Sequence, residues 1–331
     1  MSHTVVITSG FPENGKMIKG WAAENNIQIA DASDCVTEQE FIDFIQKHNP
    51  IAIASSGFPP YTARWSDNLV NSLPPSLKAI CNFSAGYDGM GDLERYKVKG
   101  IQISNTPNGV AQSTADTGVY LILGAMRNFG RYAINLREGH WRDGIPFGIE
   151  YDGKILGILG FGGVGSLVRD KIRGAFHFEK IQYHNRRRAA PEREQDSVYV
   201  SMDELLSTSD VILTVLPLNK DTHHLINRET IAKMKKGAIL VNIGRGPVVE
   251  EAAVVEALES GHLANVGFDV YENEPKISEG LLNNKNALLL PHVGTNTTLA
   301  RNKMMRDTIG NVESVIKTGN VITLIPELRT R

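Results

Sequence analysis

One glycine-rich run stands out by its residue types and spacing. Gly160-Phe161-Gly162-Gly163-Val164-Gly165 is a G-x-G-x-x-G sequence. It directly follows the apolar run Lys154 to Leu159 and opens the helix-like stretch Ser166 to Ala175. In such a setting the first glycine permits a tight turn and the second lets the backbone approach a pyrophosphate. The third permits close helix–strand packing. The helix N-terminus adds free N–H groups and partial positive charge. Gly160, Phe161, Gly162, Gly163, Val164 and Gly165 are therefore the first cofactor-binding candidates, for a dinucleotide. The plainer reading is a structural glycine turn.

About 20 residues further on, a chain built for NAD would carry an acid to take both ribose hydroxyls. Here the sequence reads Tyr183-His184-Asn185-Arg186-Arg187-Arg188, with no acid. A guanidinium offers bidentate, charge-assisted bonds to a phosphate. Asn185, Arg186 and Arg187 thus point to NADPH over NADH, with NADH still possible. The alternative is a solvated arginine loop.

Three later segments place ionisable groups after apolar runs. An arginine lies between glycines in Val241-Asn242-Ile243-Gly244-Arg245-Gly246-Pro247. Acids follow Phe268 in Asp269-Val270-Tyr271-Glu272-Asn273-Glu274-Pro275, and a histidine follows Leu290 in Pro291-His292-Val293-Gly294-Thr295. In an open α/β sheet, ligands gather at the carboxyl ends of strands. Taken singly, Arg245 also fits a surface charge, Glu274 a rim acid and His292 a structural imidazole.

The elements that must position these groups follow from short apolar runs alternating with helix-like segments, the α/β pattern. Strands are expected at 5–7, 27–30, 51–54, 77–81 and 102–103. Six more are expected at 155–159, 180–183, 211–216, 238–242, 265–268 and 287–290. Near-continuous Val, Ile and Leu in the later strands predict a parallel sheet covered on both faces. Six such strands match one doubly wound nucleotide-binding sheet. Helices are expected at 16–24, 111–126, 166–175, 250–260 and about 297–317. Thr37 with Glu40, and Ser201 with Glu204, make capping-box patterns, and Gly261 is a natural stop. The segment 137–153 reads as an irregular arm containing Trp141. One βα set, a complete second set and a closing helix predict a discontinuous first domain. Its residues are 1–106 and 296–331, with 107–295 inserted.

The chain has 331 residues and a formal net charge of -2, with 22% charged and 41% apolar residues. That balance argues against a nucleic-acid binder, which carries a basic excess. No apolar run reaches the length of a membrane span. Cys35 and Cys81 are too few for a disulfide framework or a cysteine metal site, so no metal is expected. The chain enters its first strand without a leader-like segment, and a cytoplasmic protein is the expectation.

The glycine loop and the Arg245, Glu274, His292 set, 29 and 18 residues apart, resemble the D-isomer-specific 2-hydroxyacid dehydrogenase family. Its glyoxylate/hydroxypyruvate reductase-like members are the nearest in pattern, over essentially the whole chain. The resemblance implies a Rossmann-type nucleotide domain inserted in a flavodoxin-like substrate domain, both doubly wound. It implies that Arg245, Glu274 and His292 are catalytic in hydride transfer to a small 2-keto acid, or from a 2-hydroxy acid. His292 as imidazolium would give the alkoxide its proton. Glu274 would orient that ring and favour its charged form. Arg245 would bind the substrate carboxylate and the developing negative charge. The proline after Glu274 and the spacing favour Glu274 over Glu272.

By the same resemblance, the backbone at Ala85 and Gly86 holds the substrate carboxylate, together with Arg245 and His292. Thr114, Leu216, Pro217, Ile243, Gly244, Asp269 and Gly294 would touch the cofactor, with packing as the alternative for Leu216 and Ile243. The family loop often carries an arginine where Gly163 stands, so one phosphate partner is missing, with Arg186 to Arg188 as compensation. Phe58-Pro59-Pro60-Tyr61 and Met304 or Met305 are pocket-lining candidates, the methionines equally core candidates. Related arms embrace a second subunit, which implies a homodimer through the nucleotide domain.

Other readings share the fold: a D-mandelate dehydrogenase-like or 2-ketogluconate reductase-like enzyme, or a nucleotide-sensing corepressor. A phosphoglycerate dehydrogenase with a regulatory module fits less well, since no long extension follows residue 331. Glu274 argues against a formate dehydrogenase, which pairs its histidine with Gln.

Overall fold

A computed structural model describes residues 3–8, 15–56 and 64–329. The segment Phe58-Pro59-Pro60-Tyr61 lies outside the described residues. Contacts divide the chain into two compact units: Met1–Val110 with Thr297–Arg331, and Ala111–Asn296. Each unit is built on one wholly parallel sheet.

The first sheet contains β1 (Thr4–Ile7), β2 (Gln28–Asp31), β3 (Ala52–Ser55), β4 (Ala79–Asn82) and β5 (Gln102–Ser104). Their order is β2-β1-β3-β4-β5, the flavodoxin-type winding. Every residue of β3 and β4 is buried, because helices cover both faces. Alternation along the strands assigns the two faces. Val6, Ile53 and Ile80 pack with Phe41, Ile45 and Trp65. Val5, Ala52 and Ala79 pack with Met304, Met305 and Val312. Met304 and Met305 are thus core residues at 3% and 0% exposure, and the pocket-lining alternative is set aside. The last helix, Thr298–Thr318, is capped by Thr297 and ends at Gly319 in the left-handed region.

The second sheet contains β6 (Ile155–Leu159), β7 (Lys180–His184), β8 (Val198–Tyr199), β9 (Val211–Thr214), β10 (Ala238–Asn242), β11 (Leu263–Phe268) and β12 (Ala287–Leu289). Their order is β12-β11-β10-β9-β6-β7-β8. This is the Rossmann-type doubly wound sheet, and the winding reverses between its neighbouring strands β6 and β9. Seven strands are present rather than the six expected. The extra one, β8, is a two-residue edge strand too short to show periodicity. Leu156 and Ile158 face one core with Val168 and Ile172, whereas Ile212 and Leu240 face another with Val254 and Leu258.

Three helices begin where local chemistry places them. Thr37 and Glu40 form a complete capping box before Glu38–His48. Ser201 caps Met202–Thr208 through the Glu204 N–H. The helix expected from Ala111 starts earlier, at Pro107, and runs to Met126. Proline suits a first helical turn, where its missing N–H is no loss. Short helices at Asp67–Asn71 and Leu93–Lys99 were not anticipated.

Candidate active site

The glycine loop leaves β6 at its carboxyl end. Gly160 has φ 104°, and a Cβ there would stand 2.7 Å from the Val215 carbonyl oxygen. At Gly165 a Cβ would stand 2.3 Å from the Gly160 carbonyl oxygen. Any side chain at either position would push strand, loop and helix apart. Gly162 and Gly163 are different: no atom lies within 4 Å of a Cβ at either one. Space is kept above their backbone. No hydrogen bond among the described residues uses the N–H groups of Gly162, Gly163, Val164 or Gly165. They open the helix Gly163–Ala175, whose dipole favours an anion at that end. Free donors, open space and positive potential fit the pyrophosphate of a dinucleotide.

Asn185 follows β7 and turns toward this loop. Its Oδ1 accepts the Phe161 N–H at 2.7 Å. Arg186 and Arg187 are exposed, and their side chains have no hydrogen-bond or ion-pair partner among the described residues. Arg188 is committed elsewhere: it donates to both carboxylate oxygens of Glu194, at 2.8 and 2.6 Å. It cannot also compensate for the arginine missing at Gly163 without breaking that pair.

The remaining candidates sit after neighbouring strands of the same sheet. Leu216 and Pro217 follow β9, and Ile243, Gly244 and Arg245 follow β10. A Cβ on Gly244 would stand 2.7 Å from the Leu216 carbonyl oxygen, so these two segments pack backbone to backbone. Ile243 is buried against the helix Pro107–Met126, where a Cβ on Gly118 would meet its Cδ1 at 2.8 Å. Asn242 ties the turn down, accepting from the Gly244 N–H and donating to the Arg245 carbonyl, each at 3.0 Å. Arg245 itself donates to the Gly244 carbonyl at 2.8 Å. A Cβ on Gly294 would stand 3.4 Å from Thr114 and 3.0 Å from an Asp269 carboxylate oxygen.

Asp269 is the anchor of the histidine loop. It is 2% exposed, and its two carboxylate oxygens accept the Val293 and Gly294 N–H groups at 2.8 and 2.9 Å. Burial raises its pKa, only partly offset by those two hydrogen bonds and the His292 charge. His292 has φ 52°, a left-handed conformation that costs a histidine about 1–3 kcal/mol and persists when neighbours over-determine it. The two bonds to Asp269 supply that restraint.

His292 Nδ1 lies 2.7 Å from Glu274 Oε2, while Glu274 Oε1 accepts the Tyr271 N–H at 2.9 Å. Burial would raise the Glu274 pKa. The His292 hydrogen bond and charge, the Tyr271 N–H and the Arg245 charge together outweigh it, and the carboxyl is held below its ordinary value. Because Nδ1 is tied to Glu274, the ring presents Nε2 to a ligand. The competing acid, Glu272, is occupied: it pairs with His224 Nε2 at 2.5 Å and accepts the Glu251 N–H at 2.9 Å. That partner lies 48 residues away, so no local pattern could have revealed it.

In the first unit, the segment after β4 exposes donors. The Ala85 carbonyl accepts from Asn105 at 2.8 Å and the Ser84 carbonyl from the Thr106 N–H at 2.9 Å. The Ser84 hydroxyl donates to the Gly86 carbonyl. No hydrogen bond among the described residues uses the Ala85 or Gly86 N–H.

Residues 119–294 match the family described as D-isomer specific 2-hydroxyacid dehydrogenase, NAD binding domain. Over 273 residues the chain is 44% identical to glyoxylate reductase 1 of Saccharomyces cerevisiae, covering 81% of this chain and 77% of that protein. A glyoxylate reductase from Paecilomyes thermophila has a closely similar crystal structure, with a TM-score of 0.92, 36% identity and 99% of each chain covered. An NADPH-dependent glyoxylate/hydroxypyruvate reductase from Sinorhizobium meliloti, crystallised with NADP and malonate, superposes with a TM-score of 0.84. It is 26% identical, with 100% of this chain and 99% of that one covered. The chain belongs to the D-isomer specific 2-hydroxyacid dehydrogenase family. It is an NAD(P)-dependent oxidoreductase of the class acting on CH–OH donors.

Proposed function

We propose that this protein is an NADPH-preferring reductase of small 2-keto acids, with glyoxylate or hydroxypyruvate as substrate. The observation that carries the reading is the 2.7 Å contact of His292 Nδ1 with Glu274 Oε2, with the Arg245 charge acting on the same carboxylate. Gly160 to Gly165 would hold the pyrophosphate, and a bound nicotinamide would supply the hydride for the ketone carbon. His292 donates a proton from Nε2 to the carbonyl oxygen as negative charge develops there. Glu274 orients the ring and stabilises the imidazolium. Arg245 binds the substrate carboxylate and stabilises the charge on the reacting oxygen. In oxidation, neutral His292 accepts the hydroxyl proton instead. The Ala85 and Gly86 N–H groups are assigned to the substrate carboxylate.

Two observations support the NADPH preference. No acid follows β7 at Asn185, and Arg186 and Arg187 are exposed cations there. The Sinorhizobium meliloti relative is itself an NADPH-dependent reductase. A homodimer through the nucleotide-binding unit is part of the proposal, supported by exposed Phe129, Ile134, Leu136, Trp141 and Phe147. Burying such side chains against a second chain would remove apolar surface from water.

The test is a matrix of kcat/KM values for NADPH and NADH against glyoxylate, hydroxypyruvate, phenylglyoxylate and 2-ketogluconate. The expected maximum is NADPH with glyoxylate or hydroxypyruvate. A maximum with phenylglyoxylate would shift the reading to a mandelate-type enzyme. Cofactor binding without turnover on any of the four would favour a nucleotide sensor.

A further inference from the structure

The segment that presents Arg186 and Arg187 is fastened from beneath by one buried side chain. Tyr183, in β7, is 0% exposed. Its hydroxyl accepts the Ala189 N–H at 3.0 Å and donates to Glu194 Oε2 at 2.6 Å. Glu194 in turn holds Arg188 by two bonds. The hydroxyl thus closes the segment 184–189 at its far end, while Asn185 fixes its near end to Phe161.

The same ring touches the phosphate loop. Phe161 stacks on Tyr183 with centroids 4.2 Å apart. The Arg169 guanidinium lies over Phe161, 5.3 Å from its centroid. Arg169 is 1% exposed and donates to the Arg193 and Glu194 carbonyls and to Ser197, at 2.8, 2.7 and 2.9 Å. Those bonds fix the piece of backbone that carries Glu194. Arg188 is consumed in the fastening, and Arg186 and Arg187 remain as exposed cations between two tied points.

We propose that Tyr183 and Glu194 are positioning residues for cofactor choice: they hold the 184–189 segment so that Arg186 and Arg187 meet the 2′-phosphate of NADPH. The inference rests on the NADPH reading above. Both side chains are buried, at 0% and 7% exposure, so they would act through the segment they hold. Two long, exposed arginines on a loose segment would pay side-chain and backbone entropy for every phosphate bond. On a fastened segment most of the backbone part is already met. Burial and the Glu194 carboxylate both push the Tyr183 hydroxyl toward its protonated form, as a standing donor requires. Arg188 and Tyr183 hold the Glu194 carboxyl down to about 2, so the fastening stays ionised over the whole working range.

Equilibrium titration of NADPH and NADH by calorimetry tests this without turnover. Tyr183→Phe keeps the ring stacked on Phe161 and removes only the hydroxyl. It should weaken NADPH about five- to tenfold, the scale of one or two hydrogen bonds, and leave NADH within about twofold. Glu194→Gln is the second variant. It removes a negative charge near the phosphate, so charge alone would tighten NADPH, whereas loss of positioning weakens it. Equal losses for both cofactors in Tyr183→Phe, or tighter NADPH in Glu194→Gln, would overturn the proposal. The double variant Arg186→Ala, Arg187→Ala separates the two readings. If it weakens NADPH selectively while the other variants do not, the positioning role alone fails. If it leaves the NADPH to NADH ratio unchanged, the 2′-phosphate reading fails and takes the positioning role with it.

Discussion

At the scale of single residues, a histidine in an unfavourable backbone conformation is held beside an acid. His292 is fixed at its backbone by Asp269, through the next two N–H groups, and at its ring by Glu274. Glu274 is fixed in turn by the Tyr271 N–H. A pH dependence follows from the direction of the Glu274 shift. Its folded pKa lies below the ordinary glutamate value of 4.5. Around that pH the unfolded chain therefore binds more protons than the folded one. The stabilisation contributed by the Glu274 carboxylate is fully present above 4.5 and is lost as pH falls through the depressed value. The acid limb of kcat/KM should lie below pH 4.5 and should disappear in Glu274→Gln, at a lower plateau. An acid limb that persists unchanged in this variant would assign it to another group. The choice of Glu274 over Glu272 was legible from the proline that follows and from the spacing. The physical reason was not, because it is the distant His224 that occupies Glu272.

At the scale of elements, the glycine loop separates what serves the fold from what serves the ligand. Gly165→Ala puts a Cβ 2.3 Å from backbone and should lower the melting temperature as well as cofactor affinity. Gly162→Ala puts a Cβ into open space at an ordinary φ of -88°. It should leave the melting temperature within a degree or two while weakening the cofactor at least about tenfold, since the methyl takes the space a pyrophosphate needs. Thermal melts and cofactor titrations of the two variants check this, and equal melting temperatures for both would contradict it. Much at this scale could be read from the chain. The strand–loop–helix around Gly160 is local, and so are the capping box at Thr37 and the simpler cap at Ser201, where Glu204 does not return the bond. What could not be read is set by distant partners. The strand Val198–Tyr199 exists because β7 offers it an edge. The helices Asp67–Asn71 and Leu93–Lys99 are too short to show a period and are marked only by their caps, Ser66 and Asp92. Asp269 is expected at the cofactor, and nothing local in the sequence shows that its two oxygens also accept the N–H groups of a loop 24 and 25 residues away.

At the scale of the molecule, among the described residues no helix is long and apolar enough to cross a membrane. The homodimer proposed above would bury exposed apolar side chains of residues 129–147. Ile134 and Leu136 are 56% and 61% exposed. Sedimentation velocity should show a dimer for the wild type and a monomer for Ile134→Glu, Leu136→Glu. A wild-type monomer at micromolar concentration would contradict the assembly. The reductase reading itself is tested most directly by His292→Ala in stopped-flow with saturating NADPH and glyoxylate. Keto acid reduction should slow at least about 100-fold, the scale of a lost general acid, while NADPH binds as tightly as before. Reduction within a fewfold of the wild-type rate would remove His292 as the proton donor, and with it the role argued for Glu274.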